Sequence, residues 1–156
     1  MSKFYVAQEG HVVSCLTPQD YDTGKNGVVF SMKKHSHASI ITTLGVTAAD
    51  AGNLTLEECD DITPSNSTAI VFDYYAETTD SGDTLGAKTT ATTAGIDVSA
   101  NDDTIYVIEI DATQLTDGYP YLRVVLSDPA GATFGSVVAV LSGSRYASDQ
   151  NATAIT

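Results

Sequence analysis

Residues 37–44 read HASIITTL, and this stretch decides the fold class. Its side chains alternate between two faces, as they do along a β-strand, where successive side chains point to opposite sides of the sheet. One face carries Ala38, Ile40, Thr42 and Leu44. Branched Ile and Thr residues also favour strands, because they fit a pleated and half-buried surface. We therefore predict a strand with one buried face.

The same alternation recurs along the chain. It predicts further strands at 54–59, 69–76, 104–110 and 121–127, and two more at 11–16 and 28–32. Residues 136–142, SVVAVLS, are almost continuously apolar, as expected of a strand that is covered on both faces. The predicted core is Ile40, Leu44, Leu54, Leu56, Ile70, Phe72, Tyr106, Ile108, Ile110, Leu122, Val124, Leu126, Val138 and Val140.

Residues that favour turns separate the predicted strands. Asn26-Gly27 is the strongest short hairpin signal, and the other breaks are rich in Asp, Asn, Gly and Pro. Residues 111–118 predict one helical turn, and the polar stretch 78–103 predicts an exposed loop or a weakly ordered hairpin. We expect an all-β fold, an antiparallel β-sandwich or a jelly-roll-like barrel of about eight short strands.

The length of 156 residues predicts one domain, since a domain usually takes about 100–200 residues. We expect the β-sandwich domain to occupy residues 11–147. Residues 1–10 have few turn signals and carry the aromatic pair Phe4 and Tyr5, so we interpret them as an N-terminal arm. Residues 148–156 are small and polar, which predicts a C-terminal tail.

The chain is strongly acidic, with 7 Lys and Arg against 20 Asp and Glu and a formal net charge of −13. Such a charge repels nucleic-acid phosphates and anionic membrane surfaces, so we expect neither as a partner. The N-terminus lacks a long apolar stretch, so we expect no signal peptide and synthesis in a reducing cytoplasm. Cys15 and Cys59 are then interpreted as free thiols, although the sequence leaves a disulfide between them open.

His35 and His37 raise the question of a metal site, because a His-x-His pair on a strand places both rings on one face. A metal site also needs a third ligand and an ordered surrounding shell, and nothing pairs His11 with these two residues. We therefore expect no metal here and interpret residues 32–37, MKKHSH, as the solvated start of a strand. Lys33 and Lys34 make this segment a candidate docking patch for an acidic surface.

The familiar motifs of hydrolases, nucleotide-binding proteins and calcium sites are absent from the sequence. It contains no G-x-S-x-G, G-x-x-x-x-G-K-[ST], H-E-x-x-H or G-x-G-x-x-G, and the acidic run EECDD at 57–61 lacks EF-hand spacing. The tyrosines at 74–75 and at 119 and 121 could stack on sugars, but core tyrosines would have the same pattern. We therefore expect no enzyme and no cofactor.

Three ordered blocks of the sequence carry a family resemblance. TPQDYDTGKNGVVFSMKKHSHASIITTLG, TLEECDDITPSNSTAIVFDYYAETTDSGDTLG and DGYPYLRVVLSDPAGATFGSVVAVLSGSRYA together resemble small structural proteins encoded among the head genes of tailed bacteriophages. The resemblance spans residues 17–147 and includes no catalytic signature. It implies a capsid decoration or cement protein at the surface of the virion, with the major capsid protein as its partner.

The resemblance leads to specific expectations about contacts. We expect a non-enzymatic homo-oligomer, since closed symmetric oligomers are the common case. The residues that we expect to contact the capsid or another subunit are Phe4, Tyr5, Lys33, Lys34 and His35. The alternative is a tail-associated or carbohydrate-binding β-sandwich module.

Overall fold

The computed structural model describes residues 5–99, 101–145 and 154–155, and the fold is all-β. The strands are β1 His11–Asp20, β2 Lys25–Asn26, β3 Phe30–Ser31, β4 His35–Leu44, β5 Asn53–Cys59, β6 Ser67–Ala69, β7 Phe72–Ala76, β8 Thr89–Ala91, β9 Ile96–Asp97, β10 Ile105–Asp111, β11 Tyr121–Leu126 and β12 Phe134–Ser144. One short helix, α1, spans Val6–Glu9, and a 3₁₀ turn spans Ala112–Gln114. The predicted helical turn within 111–118 is therefore confirmed.

Two antiparallel sheets of six strands each form a sandwich. Sheet A has the order β1-β12-β4-β10-β7-β8. Sheet B has the order β2-β11-β5-β6, with β3 also paired to β11 and β9 to β5. The chain moves back and forth between the two sheets, so neighbouring strands in a sheet are mostly distant in sequence. The predicted all-β sandwich is confirmed, with twelve strands instead of about eight.

The inner faces of the two sheets enclose one continuous hydrophobic core. Its largest fully buried side chains include Phe30, Phe72, Ile40, Ile108 and Leu122. Burying one such side chain stabilises the fold by about 1.5–3 kcal/mol relative to leaving it exposed. The alternation of buried and exposed residues along β4, β5, β10 and β11 is therefore the pattern that holds the sheets together.

Two residues of the predicted core lie elsewhere, and a third packs against the core but is only partly buried. Every other residue predicted for the core is buried, but Ile70 is only partly buried and Val138 and Val140 lie on the outer face of sheet A. In β12 the buried residues are Val137, Ala139 and Leu141, so the prediction chose the wrong face of this strand. The outer face is half-exposed, which also contradicts the expectation that the strand is covered on both sides.

Two turn assignments differ from the prediction. Asn26-Gly27 does not close a hairpin, because β2 and β3 both pair with β11 as consecutive parts of one interrupted edge strand. The strand predicted at 69–76 is divided, because β6 belongs to sheet B and β7 to sheet A. The stretch 78–103 contains two short strands, β8 and β9, one in each sheet.

Both ends of the described chain contact the sandwich. Helix α1 lies against β1 and β12. Near the other terminus, Ala154 is buried, and its carbonyl oxygen accepts a hydrogen bond of 2.7 Å from the backbone N–H of Ser31. Phe4 and most of the predicted C-terminal tail lie outside the described residues.

Cys15 and Cys59 are both buried and free, as the interpretation as thiols predicted. Burial raises the pKa of Cys15 to about 12, while a backbone hydrogen bond involving Ala139 acts in the opposite direction. Burial also raises the pKa of Cys59. Both side chains are therefore neutral thiols at physiological pH, and thiolates are the reactive form.

Among the described residues, no helix has the length and apolar character that crossing a membrane would require.

Candidate interaction surfaces

Three basic residues meet at one end of the sandwich, and we call Lys33, Lys34 and Arg145 the basic end. The strand register places the start of β4 beside the end of β12, with His35 opposite Ser144. The backbone N–H of Arg145 donates to the carbonyl oxygen of Lys34 over 2.9 Å. The basic end thus collects three of the 7 Lys and Arg residues of a chain whose net charge is −13.

Lys33 is held in place by Tyr121 of β11. Its Nζ atom donates to the Tyr121 hydroxyl over 2.9 Å and lies 4.7 Å from the centre of the Tyr121 ring. The ring itself is buried, so it offers a fixed platform and an additional cation–π attraction. An ammonium group has three donors, and one bond to Tyr121 leaves two for a binding partner.

A cleft of about 500 Å³ opens beside the basic end. Its wall combines Lys33 and Arg145 with the acidic Asp60 and Asp117, and Leu115 is among its apolar residues. Such a mixture of charges of both signs and apolar surface suits a protein segment better than a single small anion. The cleft is therefore a candidate docking site for part of another chain.

His35 and Tyr5 contribute to this end very differently. His35 is only 7% exposed, and its ring lies 5.9 Å from that of His11. Burial lowers the pKa of His35, and the charges of His11 and Lys34 lower it further. His35 is thus a buried, neutral residue, and the expectation of a solvated strand start is wrong for it. Tyr5 is half-exposed and is the N-cap residue immediately before α1, which contacts β1.

His37 lies on the outer face of sheet A in a polar cluster with β10. Its Nδ1 atom is 2.7 Å from Oδ1 of Asp111, and its Nε2 atom is 2.7 Å from Oε2 of Glu109. Burial lowers the pKa of His37, but the hydrogen bonds and charges of Asp111 and Glu109 together outweigh this and raise it. Since both ring nitrogens face carboxylates, the protonated imidazolium is the form that this cluster stabilises.

Ser39 gives the cluster a superficial likeness to a Ser-His-Asp triad. Its Oγ atom is 3.5 Å from Nε2 of His37, but it donates to Oε2 of Glu109 over 2.7 Å. A triad requires a neutral histidine that accepts the serine proton. Here the serine proton is directed to Glu109, and both nitrogens of His37 face acids. The cluster is arranged as an ion network that ties β4 to β10.

The histidines and acids do not converge on a common point. Asp111 and Glu109 bind opposite nitrogens of His37, so one ion could not take all three as ligands. Within residues 5–99, 101–145 and 154–155 there is no group of three or more His, Cys, Asp and Glu side chains placed to hold a metal ion.

The outer face of sheet A carries a line of apolar side chains. Strand register places Val138 of β12, Ile41 of β4, Val107 of β10 and Tyr75 of β7 side by side, and we call these four the apolar row. Each of the four is partly exposed. The half-exposed Val12 and the partly exposed Val140 and Ile105 extend the patch on the same face. An apolar patch of this kind on a sheet that faces solvent is typical of an interaction site.

The outer face of sheet B is polar by comparison. Arg123 of β11 donates from Nε to Oε2 of Glu57 over 3.0 Å and from Nη2 to Ser67 over 2.9 Å. Thr55 and Val125 form the neighbouring pair on this face. The two outer faces are therefore chemically different, and among the described residues the apolar row lies on that of sheet A.

The tyrosines considered for sugar stacking are largely used by the fold. Tyr74 packs against Phe72 and Tyr106, with ring centres 6.4 and 6.3 Å apart. Tyr121 is 8% exposed and supports Lys33. Tyr75 belongs to the apolar row, and Tyr119 is partly exposed after β10. The two described tyrosines that remain partly exposed without a ring partner thus lie on different parts of the fold, which gives no support to a shared sugar platform.

The His37 cluster and the apolar row were not predicted from the sequence. Alternation places His37 and Ile41 on the outer face of one strand and Glu109 and Val107 on the outer face of another. What unites them is the pairing of β4 with β10, and no feature of the sequence specifies which strands become neighbours.

No protein-family model matches the chain, and no curated protein sequence is significantly similar to it.

Proposed function

We propose that this chain is a non-enzymatic structural protein of a tailed-bacteriophage head, which decorates or cements the capsid through protein–protein contacts. The proposal includes attachment to the major capsid protein at the surface of the virion. It rests on the resemblance of the sequence blocks spanning residues 17–147 and on the character of the described surface.

The observation that carries the proposal is the basic end. On a chain with a net charge of −13, random placement would scatter the few basic residues, yet Lys33, Lys34 and Arg145 share one end. Lys33 is fixed by Tyr121, and the 500 Å³ cleft beside it can receive a protruding segment of a partner. A positive site on a negative protein orients the molecule, because the remainder of its surface is repelled by an acidic partner.

Docking would then combine two contributions. The charges of the basic end steer the approach to acidic groups of the capsid protein and set the register. The apolar wall of the cleft, which includes the partly exposed Ala112, Leu115 and Pro120, supplies area that is removed from water. Because charges at the rim of an interface act chiefly on association, binding should weaken as salt concentration rises.

A charge-reversal experiment tests the proposal. Purified capsids that lack the protein are mixed with the full chain, and the bound fraction is measured by co-sedimentation. Lys33→Glu should weaken binding at least tenfold and reduce its salt dependence. Lys25→Glu is the matched control, because it changes the net charge by the same amount. Lys25 pairs with Leu126 at the other end of β11, away from the basic end. This variant should bind like the unmodified chain.

Two outcomes contradict the proposal. If the unmodified chain does not sediment with capsids and instead binds glycans, the carbohydrate-binding alternative replaces it. If Lys33→Glu and Lys25→Glu weaken capsid binding equally, the contribution of the basic end is refuted, and only overall charge matters.

A further inference from the structure

We infer that the outer face of sheet A is a self-association surface, on which a second copy of this chain packs through the apolar row of Val138, Ile41, Val107 and Tyr75. The inference rests on the proposed function in one respect, namely that protein–protein contact is the role of the chain. It concerns a surface other than the basic end, and it can be tested without capsids.

The apolar row runs across four adjacent strands near the middle of sheet A. β12 and β4 are inner strands of the sheet, and β10 and β7 follow on one side. In the next row, Val12 of β1 lies opposite Val140 of β12. The patch is thus continuous over most of the width of the sheet and is not a set of isolated apolar residues.

Three acids on this face already have partners. Asp73 accepts from Nζ of Lys88 over 2.9 Å and from the Thr90 hydroxyl over 2.6 Å. Glu109 and Asp111 share His37. Lys88 compensates the charge of Asp73, and protonated His37 compensates one of the two charges of Glu109 and Asp111. The pairing reduces the negative charge of the face without removing it, which lowers the repulsion between two copies of this acidic chain.

The area of the face is adequate for a specific contact. Six strands spaced ~4.8 Å apart, with ~7 residues of ~3.4 Å along each, give a flat area of roughly 600 Å². Specific interfaces bury about 600–1,000 Å² on each partner. The whole face, with its polar positions included, thus reaches only the lower end of the specific range, which favours a reversible contact over an obligate one.

The shape of the face favours an identical partner. Two sheets pack face to face with their side chains interdigitated, about 10 Å apart and with strand directions within about 30° of each other. A two-fold axis near Ile41 and Val107 would set one apolar row against the other, with Ser39 and Glu109 next to the row and Asp111 farther out. The resulting interface is apolar at its centre and polar at its edge, which is the usual anatomy of protein interfaces.

Sedimentation-velocity centrifugation of the purified full chain over a concentration series tests the inference. The unmodified chain should show a reversible dimer, and Val138→Lys should shift the population to monomer. Val125→Lys is the matched control, because Val125 is also a partly exposed valine within a strand but lies on the outer face of sheet B. It should remain dimeric.

A milder variant guards against misfolding. Ile41→Thr keeps a β-branched side chain on the strand and should also weaken the dimer, while circular dichroism should show an unchanged β-sheet spectrum. The inference is overturned if the unmodified chain stays monomeric up to ~1 mM, the concentration at which even a very weak specific dimer is populated. It is also overturned if Val138→Lys and Ile41→Thr leave the dimer intact.

The two proposals fail separately. A monomeric chain that still binds capsids through Lys33 would refute self-association and leave the proposed function standing. A chain that dimerises through Val138 but does not bind capsids would do the reverse. A third result is also possible: the unmodified chain is monomeric at all concentrations, and Val138→Lys abolishes its binding to capsids. The outer face of sheet A would then bind the capsid protein, and self-association through it would be refuted.

Discussion

Thr42 is a fully buried polar residue whose replacement should stabilise the fold. It lies on the inner face of β4, between Val137 of β12 and Tyr106 of β10, and has no exposed surface. Its Oγ1 atom has no hydrogen-bond partner among the described residues. The hydroxyl binds water in the unfolded chain and loses that bond on folding, which costs about 1–3 kcal/mol. Thr42→Val keeps the shape and removes the hydroxyl.

We expect Thr42→Val to raise the free energy of unfolding by about 1–2 kcal/mol. For a domain of this size each kcal/mol raises the melting temperature by about 2–4 °C. Urea titration and calorimetry should give consistent values, with an unchanged urea dependence. Thr68→Val, an exposed strand position in β6, is the control and should change stability by less than about 0.5 kcal/mol. Equal effects at the two positions, or destabilisation by Thr42→Val, would refute the assignment of an unsatisfied hydroxyl.

The other predictions concern the core, the ion network and the backbone. Leu122→Ala removes a fully buried side chain and should cost about 2–5 kcal/mol in a urea titration; a cost well under 1 kcal/mol would mean that this part of the core is misplaced. His37 has a raised pKa in the folded chain, so its stabilisation of ~0.2–1 kcal/mol should be complete below pH ~6.5 and lost as pH rises through the folded pKa. The measurement is the difference in the free energy of unfolding between the unmodified chain and His37→Gln, taken below and above the pKa of His37. A difference that does not change with pH contradicts the prediction. Gly143 has φ of 62°, and a Cβ there would meet the hydroxyl of Ser36, so Gly143→Ala should cost at least ~1–2 kcal/mol in thermal unfolding. Gly131 has an ordinary φ and space for a Cβ atom, so Gly131→Ala should cost much less. Equal losses of stability in the two variants would contradict the backbone strain at Gly143.

Alternation along the sequence was sufficient to predict the fold class and most strands, because each strand has one buried and one solvated face. It could not resolve β12, where both faces are apolar. The serines at the two ends of the strand could have identified the buried face of β12. Ser136 and Ser142 alternate onto the same face as Val138 and Val140, and both serines lie outside the core. Polar residues at the two ends of an apolar strand identify its outer face.

The other differences between the predicted and the observed structure arise from the pairing of strands that are distant in sequence. Alternation continues through Ile70 although the chain passes from sheet B to sheet A there, since the change of sheet requires no change of pattern. Asn26-Gly27 has hairpin chemistry, yet β11 was available to pair with the strands on both sides of it. The buried His35 likewise lies beside the ring of His11, a residue of a different strand. Sequence patterns describe one strand at a time, and contacts between strands lie beyond them.

The position of the protein in the intact particle tests the central proposal most directly. Electron microscopy of purified virions at a resolution that separates strands should show two six-stranded sheets on the outer surface of the capsid, with Lys33 and Arg145 directed at the major capsid protein. Density for the chain at the tail, or its absence from purified virions, would contradict the account of a capsid-decorating structural protein.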